Sequence, residues 1–167
     1  MQVVERAVGR DTGRPDDGHA GPDLRLAGVP ATALALTDAR VRLTAWARTT
    51  GLQAEQVDCL VLAAYEAMAN VVDHAYDDRG GIFDLHAGRH DSMVTVTISD
   101  YGRWKPAADG ARTWRGRGLL IIERAAPEFE LIQYDRGTTV CMSWPVRADA
   151  PAGERIAPDR APDQPGV

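Results

Sequence analysis

The sequence predicts an α+β two-layer sandwich, with helices on one face of a mostly antiparallel, mixed β-sheet. Three features of its 167 residues predict this class. Apolar residues recur at helical spacing from about Leu34 to Val72, broken near Gly51, as in two helices joined by a short connection. Past Gly80-Gly81 the period drops to two: Val94, Val96 and Ile98 alternate with Thr95, Thr97 and Ser99, as in a strand covered on one face only. Between Asp100 and Arg117 neither period survives, and a loop of that length inside a domain is usually functional.

Taken in order, residues 1–22 are rich in Gly, Asp and Arg without an apolar period, which predicts a disordered N-terminal arm. Leu24 to Val29 reads as a short edge strand. Pro30 is tolerated before the first helix, whose stripe is Leu34, Leu36, Val41, Leu43, Trp46 and Ala47. The second helix is apolar almost all round from Cys59 to Val72, which suits a domain interior, and should run to the breaker Asp77-Asp78-Arg79-Gly80-Gly81. Strands follow at Ile82–Ala87 and Met93–Ser99 around a turn at Gly88-Arg89-His90-Asp91. Next come a helix over Gly118–Ala126 and a hairpin of Phe129–Tyr134 and Thr138–Trp144 over Asp135-Arg136-Gly137. From 147 to 167 the prolines at 151, 158, 162 and 165 forbid regular structure and predict a disordered tail, leaving 23–146 as the folded domain.

The totals exclude several classes. A net charge of −5 and a pI near 5.3 argue against direct nucleic-acid binding, which wants a basic surface. No apolar run nears the ~18 residues of a membrane span, and the first residues lack a signal-peptide core. Cys59 and Cys141 make no disulfide framework, and no Cys/His group has zinc spacing. A cytoplasmic protein without a membrane partner is expected.

Four places carry chemistry. Glu66 and Asn70, spaced i,i+4, put a carboxylate and an amide on one face of the apolar helix, and Asp73 and His74 continue that face. An amide oxygen suits Mg²⁺, and a carboxylate one turn away can accept a proton; a polar stripe where the helix surfaces explains the same spacing. Asp100-Tyr101-Gly102 ends a strand in a carboxylate that can accept from an exocyclic amine and a glycine that lets a flat base approach, although such a tripeptide is also an ordinary turn. Arg115-Gly116-Arg117-Gly118 precedes a helix, where exposed N–H groups attract phosphate, as a solvated basic loop also would look. Gly137-Thr138-Thr139 opens the last strand, where threonines are common.

In this order and spacing, the four resemble the GHKL (Bergerat-fold) ATP-binding domains, most closely the anti-sigma serine/threonine kinases of bacterial stress and sporulation switches. The family's E-x-x-x-N and H-A-Y elements look like Glu66 to Asn70 and His74-Ala75-Tyr76. Its D-x-G, G-x-G and G-T-T boxes look like Asp100 to Gly102, Gly116 to Gly118 and Gly137 to Thr139. The likeness covers about Ala31 to Val146. It implies a Bergerat-type ATPase fold with an ATP lid loop and Mg²⁺ and ATP as cofactors. Asn70 would hold the metal, Glu66 would be the general base, and Asp100 would meet the adenine amine over Gly102. Thr139 would support the Asp100 side of that contact, with Thr138 beside it. Asp73, His74, Arg115, Gly116, Arg117 and Gly118 would complete the nucleotide site, the two glycines closing the lid, with His74 in a structural hydrogen bond.

The resemblance further implies a protein serine kinase that phosphorylates an anti-sigma-factor antagonist, a STAS-type domain, and otherwise holds a sigma factor inactive. Arg40, in an Ala-Arg pair on the first helix, would touch the partner, and the domain would be a homodimer. One departure stands out: Trp104 occupies the place of a second glycine in D-x-G-x-G and lacks glycine's backbone freedom. A nucleotide-gated module that binds a sigma factor or antagonist without kinase activity is therefore the alternative.

Overall fold

The computed structural model describes residues 21–76, 80–102 and 117–146. The predicted lid is thus outside the described residues from 103 to 116, as are the tail from 147 and the arm up to residue 20. Among the described residues nine elements follow in order: β1 (Leu24–Pro30), α1 (Ala33–Ala47), α2 (Ala54–Asn70), a π-helical turn (Val71–Ala75), β2 (Ile82–His90), β3 (Met93–Asp100), α3 (Arg117–Ala125), β4 (Glu128–Gln133) and β5 (Thr138–Pro145). The five strands form one sheet in the order β1-β2-β3-β5-β4. Every pairing in it is antiparallel, so the mixed character expected from sequence is absent from the described strands.

Alternation decides the two faces. Val94, Val96 and Ile98 of β3, opposite Leu85 and Ala87 of β2 and Val140, Met142 and Trp144 of β5, are buried under the helices. On the other face, hydroxyls pair across strands: Thr95 with Ser143 and Ser99 with Thr139, each at 3.0 Å. At the β1 edge the register slips between Leu26 and Val29, and Gly28, at φ +65°, donates its N–H to Asp84 Oδ1 at 2.7 Å. A bulge followed by Pro30 blunts an edge that would otherwise invite pairing.

Thr32 caps α1 by accepting the Ala35 N–H, and Gly51, at φ +83°, turns the chain toward α2. A capping box of Gln53 and Gln56 starts α2, and Gln56 also donates to the Pro145 carbonyl at 2.8 Å. This helix packs against both α1 and α3. Its alanines at 63, 64 and 67, all buried, let neighbours approach closely. Contrary to the expectation of an interior helix, α2 is one-sided: Asp58 is exposed, and Leu62 keeps 47% of its surface. α3 is anchored by Leu119 and Ile122 in the core and by Trp144, whose indole N–H donates to the Ala125 carbonyl at 2.9 Å.

Two boundaries differ from the sequence reading. α-Helical geometry stops at Asn70 instead of continuing toward Asp77, and the chain passes through the wider π-turn. Two β-branched residues, Val71 and Val72, enter that turn, and the Ala75 carbonyl at its end sits against Gly102. The first hairpin is also tighter than predicted. β2 continues through Gly88, Arg89 and His90, paired with Thr95, Val94 and Met93, and the chain reverses at Asp91-Ser92 with Asp91 at φ 51°. Arg89 belongs to the strand because its guanidinium reaches across to the Thr50 carbonyl at 2.7 Å.

Candidate functional site

The site lies where α2, the end of β3, the start of α3 and the start of β5 meet. Glu66 and Asn70 share the face of α2 that meets α3. A Cβ built on Gly118 would lie 3.1 Å from both Asn70 Oδ1 and Glu66 Oε2, so two oxygens from one helix face converge on the backbone at the start of α3. Both side chains are half-buried, and among the described residues neither is taken up by a hydrogen bond. Half-buried polar groups without partners are costly unless something else meets them. An amide oxygen beside a carboxylate fits a hard cation such as Mg²⁺, which keeps most of its waters and bridges to phosphate.

At the end of β3, Asp100 keeps 5% of its surface and falls on the core-facing side of the sheet. Its Oδ1 accepts the Gly102 N–H at 2.9 Å. Burial pushes its carboxyl above the usual carboxylate range, while hydrogen bonds from the Gly102 backbone and from the Thr138 backbone and side chain pull the other way. Gly102 has no alternative residue: a Cβ there would collide with the Ala75 carbonyl. Gly137, at φ +101°, passes over the Asp100 carbonyl so closely that a Cβ would overlap it.

The structure brings Glu66 and Asn70 to Gly118, and Gly102 and Thr138 to Asp100. It corrects Thr139. Expected to support Asp100, Thr139 pairs with Ser99 and shares its hydroxyl on the open face. Strand parity is the reason: with a period of two, only Thr138 can share the face of Asp100, and it is Thr138 that donates to the carboxylate. Asp73 and His74 are exposed on the π-turn; the change from α to π winding ends the straight stripe they were read to continue. Arg115 and Gly116 lie outside the described residues, and of Arg117 only the backbone, opening α3, is described.

Arg40 is exposed on α1 as expected, and its guanidinium sits 5.6 Å from the centre of the Tyr65 ring, the residue before Glu66. Sequence reasoning passed over Tyr65, and named Tyr76 in the H-A-Y element without a role; its hydroxyl donates to the Ile82 carbonyl and accepts the Tyr101 N–H at 2.9 Å. The signal for Tyr76 was present, since a tyrosine four residues before the Gly80-Gly81 pair has a ring to place, and Gly81 leaves that space. No described helix is long and apolar enough to cross a membrane.

Comparison with known proteins bears on the fold and the family. Residues 29–144 match the family model of the histidine kinase-like ATPase domain. The anti-sigma F factor of Clostridium acetobutylicum is 30% identical over 64 residues, which are 38% of this chain and 45% of that protein. The chain thus spans less than half the length of this curated relative. Among solved structures, the RsbU and RsbW domains of Rv1364c from Mycobacterium tuberculosis superpose with a TM-score of 0.60 at 25% identity, over 74% of this chain and 32% of that one. The blue-light activated histidine kinase EL346 of Erythrobacter litoralis shares the fold, with a TM-score of 0.52 at 19% identity over 68% of this chain and 41% of that one. With more than two thirds of its length matched, the chain belongs to the histidine kinase-like ATPase domain family.

Proposed function

We propose that the protein is an ATP-binding anti-sigma factor and a protein serine kinase, which phosphorylates an anti-sigma-factor antagonist of STAS type and otherwise restrains a sigma factor. The observation that carries the reading is the convergence of Glu66 and Asn70, neither hydrogen-bonded among the described residues, on the backbone of Gly118, in a chain that also buries a carboxylate at Asp100. The likeness to an anti-sigma F factor and to RsbW supports the choice of partners.

Each residue then has a task. Asp100 accepts a hydrogen bond from the exocyclic amine of adenine, and Thr138 and the Gly102 N–H hold its carboxylate in place. Gly102 and Gly137, lacking side chains, keep that corner thin enough for a flat base. Asn70 offers its amide oxygen to Mg²⁺. Gly118, with Arg115, Gly116 and Arg117 before it, supplies backbone N–H groups and positive charge toward phosphate, and Asp73 and His74 flank this side from the π-turn. When bound, Mg²⁺–ATP supplies the transferable phosphoryl group. Glu66 would take the proton of the antagonist's serine hydroxyl as that oxygen bonds the γ-phosphorus and the bond to the β-phosphate oxygen breaks, ADP leaving, with positioning and charge stabilisation by the surrounding groups doing the rest. Arg40 faces the partner, and two copies form a dimer.

Radiolabel transfer from ATP to candidate antagonist domains tests the reading. Glu66→Gln keeps the shape of the side chain and loses the base. It should bind Mg²⁺–ATP and partner near normally and transfer phosphate at least about a hundredfold more slowly. Wild type that binds ATP and a sigma factor yet labels no antagonist would replace the kinase with the nucleotide-gated binding module, the reading that Trp104 in the second glycine position favours.

A further inference from the structure

Tyr76 stands where three segments meet. β3 ends its pairing with β2 at Asp100, opposite Phe83. The next amide, Tyr101 N–H, lies past the end of the ladder, and it is the Tyr76 hydroxyl that accepts it, at 2.9 Å. The same hydroxyl donates to the carbonyl of Ile82, the first residue of β2. Its ring fills the space beside Gly81, where a Cβ would run into three ring carbons. Tyr76 is also the residue that ends the π-turn, whose Ala75 carbonyl lies against Gly102. One phenol therefore joins the exit of α2, the start of β2 and the Asp100–Tyr101 peptide.

We propose that Tyr76 is a positioning residue of the purine pocket, holding the Asp100-Tyr101-Gly102 turn so that the Asp100 carboxylate keeps its aim at an exocyclic amine. The proposal rests on the ATP-binding reading above. The chain of dependence is short. The Asp100 carboxylate is oriented partly by the Gly102 N–H at 2.9 Å, and the place of that N–H follows from the Tyr101 peptide. Without the phenol oxygen, Tyr101 N–H has lost its acceptor, the peptide can swing toward solvent, and the Gly102 N–H moves with it. Small misplacements of a recognition group have large effects on binding selectivity, because the donor–acceptor geometry is steep. Tyr101 itself is held at its other end, where its hydroxyl donates to Asp84, so the movement is confined to the peptide.

The test is Tyr76→Phe, which keeps the ring against Gly81 and removes only the hydroxyl. Two readouts are measured on the full chain. The first is hydrogen exchange at the Tyr101 amide without nucleotide, which should be protected in wild type and at least about tenfold faster in the variant. The second is the ratio of ATP to ITP affinity, since ITP carries a carbonyl where ATP has the amine. Wild type should prefer ATP by about 10- to 150-fold, the value of a hydrogen bond to a charged acceptor. Tyr76→Phe should shrink that preference to within about threefold of unity. Thr50→Val, which removes a buried hydrogen bond to the Ala47 carbonyl far from the site, should lower stability and leave the ratio alone. Should Tyr76→Phe fail to fold, Gly81→Ala displaces the ring while keeping the hydroxyl, and the same loss of preference is expected. A variant that keeps the wild-type ratio, or a Tyr101 amide that exchanges equally in both proteins, overturns the proposal. Wild type that does not distinguish ATP from ITP overturns the purine role of Asp100, and with it this one; that failure is visible without any Tyr76 variant, so the two are told apart.

Discussion

Replacing Asp100 with Asn takes the charge from the one buried carboxylate among the described residues while leaving its size almost unchanged. Two roles for that carboxylate predict opposite outcomes. As a turn residue, it stabilises the chain by accepting the Gly102 N–H and the Thr138 donors. As a purine reader, its charge is kept in a place where burial opposes it. The raised pKa says that burial outweighs the hydrogen bonds, so ionisation costs the folded state stability at neutral pH. The sign follows from linkage. The folded value lies above the ordinary 3.8, so the penalty is full above the folded value. It is relieved as pH falls through that value, and is gone below about 3.8.

Asp100→Asn should therefore melt at or above the wild-type temperature near pH 7, and the gap should close in acid. Its ATP affinity should fall about 10- to 150-fold, because a hydrogen bond to a charged acceptor contributes about 1.5–3 kcal/mol and the amide must point its NH₂ at one of the groups that now donate. Thermal scans at about pH 7 and about pH 4, with titration calorimetry of Mg²⁺–ATP, measure both. A variant that loses more than about 2 kcal/mol at neutral pH yet binds ATP like wild type would refute the reasoning, since that is the behaviour of a turn residue.

Two glycines give sharp tests by other routes. Gly118→Ala gains about 1 kcal/mol of helix propensity and loses it again to a Cβ 3.1 Å from the Glu66 and Asn70 oxygens, so melting should change little while Mg²⁺-dependent ATP binding weakens at least about tenfold in calorimetry. Gly137→Ala must adopt φ +101° and displace the Asp100 carbonyl, costing about 2–4 kcal/mol, which a denaturant titration would read as a lower midpoint at unchanged slope.

What the sequence disclosed, and what it concealed, follows from the range of the interactions. Alternation in β3 is a local periodicity, so that strand and its buried face were readable; the stripe of α1 disclosed the helix but only part of its face, since Leu34 and Val41 are exposed and Ala39 is buried beside Leu36, Leu43 and Ala47. Gly88-Arg89-His90 reads as a turn because nothing nearby shows that Arg89 will satisfy the Thr50 carbonyl 39 residues earlier. The π-turn leaves no trace in composition, since four or five residues cannot establish a 4.4-residue period against a 3.6-residue one. At the site, the motif residues were found but not their parity. Whether Thr138 or Thr139 meets Asp100 depends on a one-residue register between β3 and β5 that only the folded sheet decides. Gly137 was legible as part of a motif, whereas its collision with the Asp100 backbone was not.

The partner surface can be separated from the nucleotide site by one pair of substitutions. Arg40 is exposed on α1 and stacks over Tyr65 at 5.6 Å, a contact that contributes about 0.5–1 kcal/mol at an exposed position. Tyr65 is followed by Glu66 on α2, so the ring under the Arg40 guanidinium and the proposed general base are adjacent residues of one helix. Tyr65→Ala removes the ring that holds the guanidinium and should weaken binding of a sigma factor or antagonist by about two- to fivefold, the equivalent of that contact. Arg40→Glu reverses the charge and should weaken it far more, because an acidic partner group is then repelled as well as unpaired. Intrinsic ATP affinity should stay level in both. Thermodynamic reciprocity makes the comparison strict: whatever factor ATP applies to partner affinity, the partner must apply to ATP affinity. In Arg40→Glu at partner concentrations that saturate wild type, that partner-induced change in ATP affinity should vanish while the unliganded value is retained. Surface plasmon resonance for the partner and calorimetry for ATP give both numbers. Equal loss of partner and ATP binding in Arg40→Glu would mean damage to the fold, and unchanged partner binding would place the docking surface away from α1.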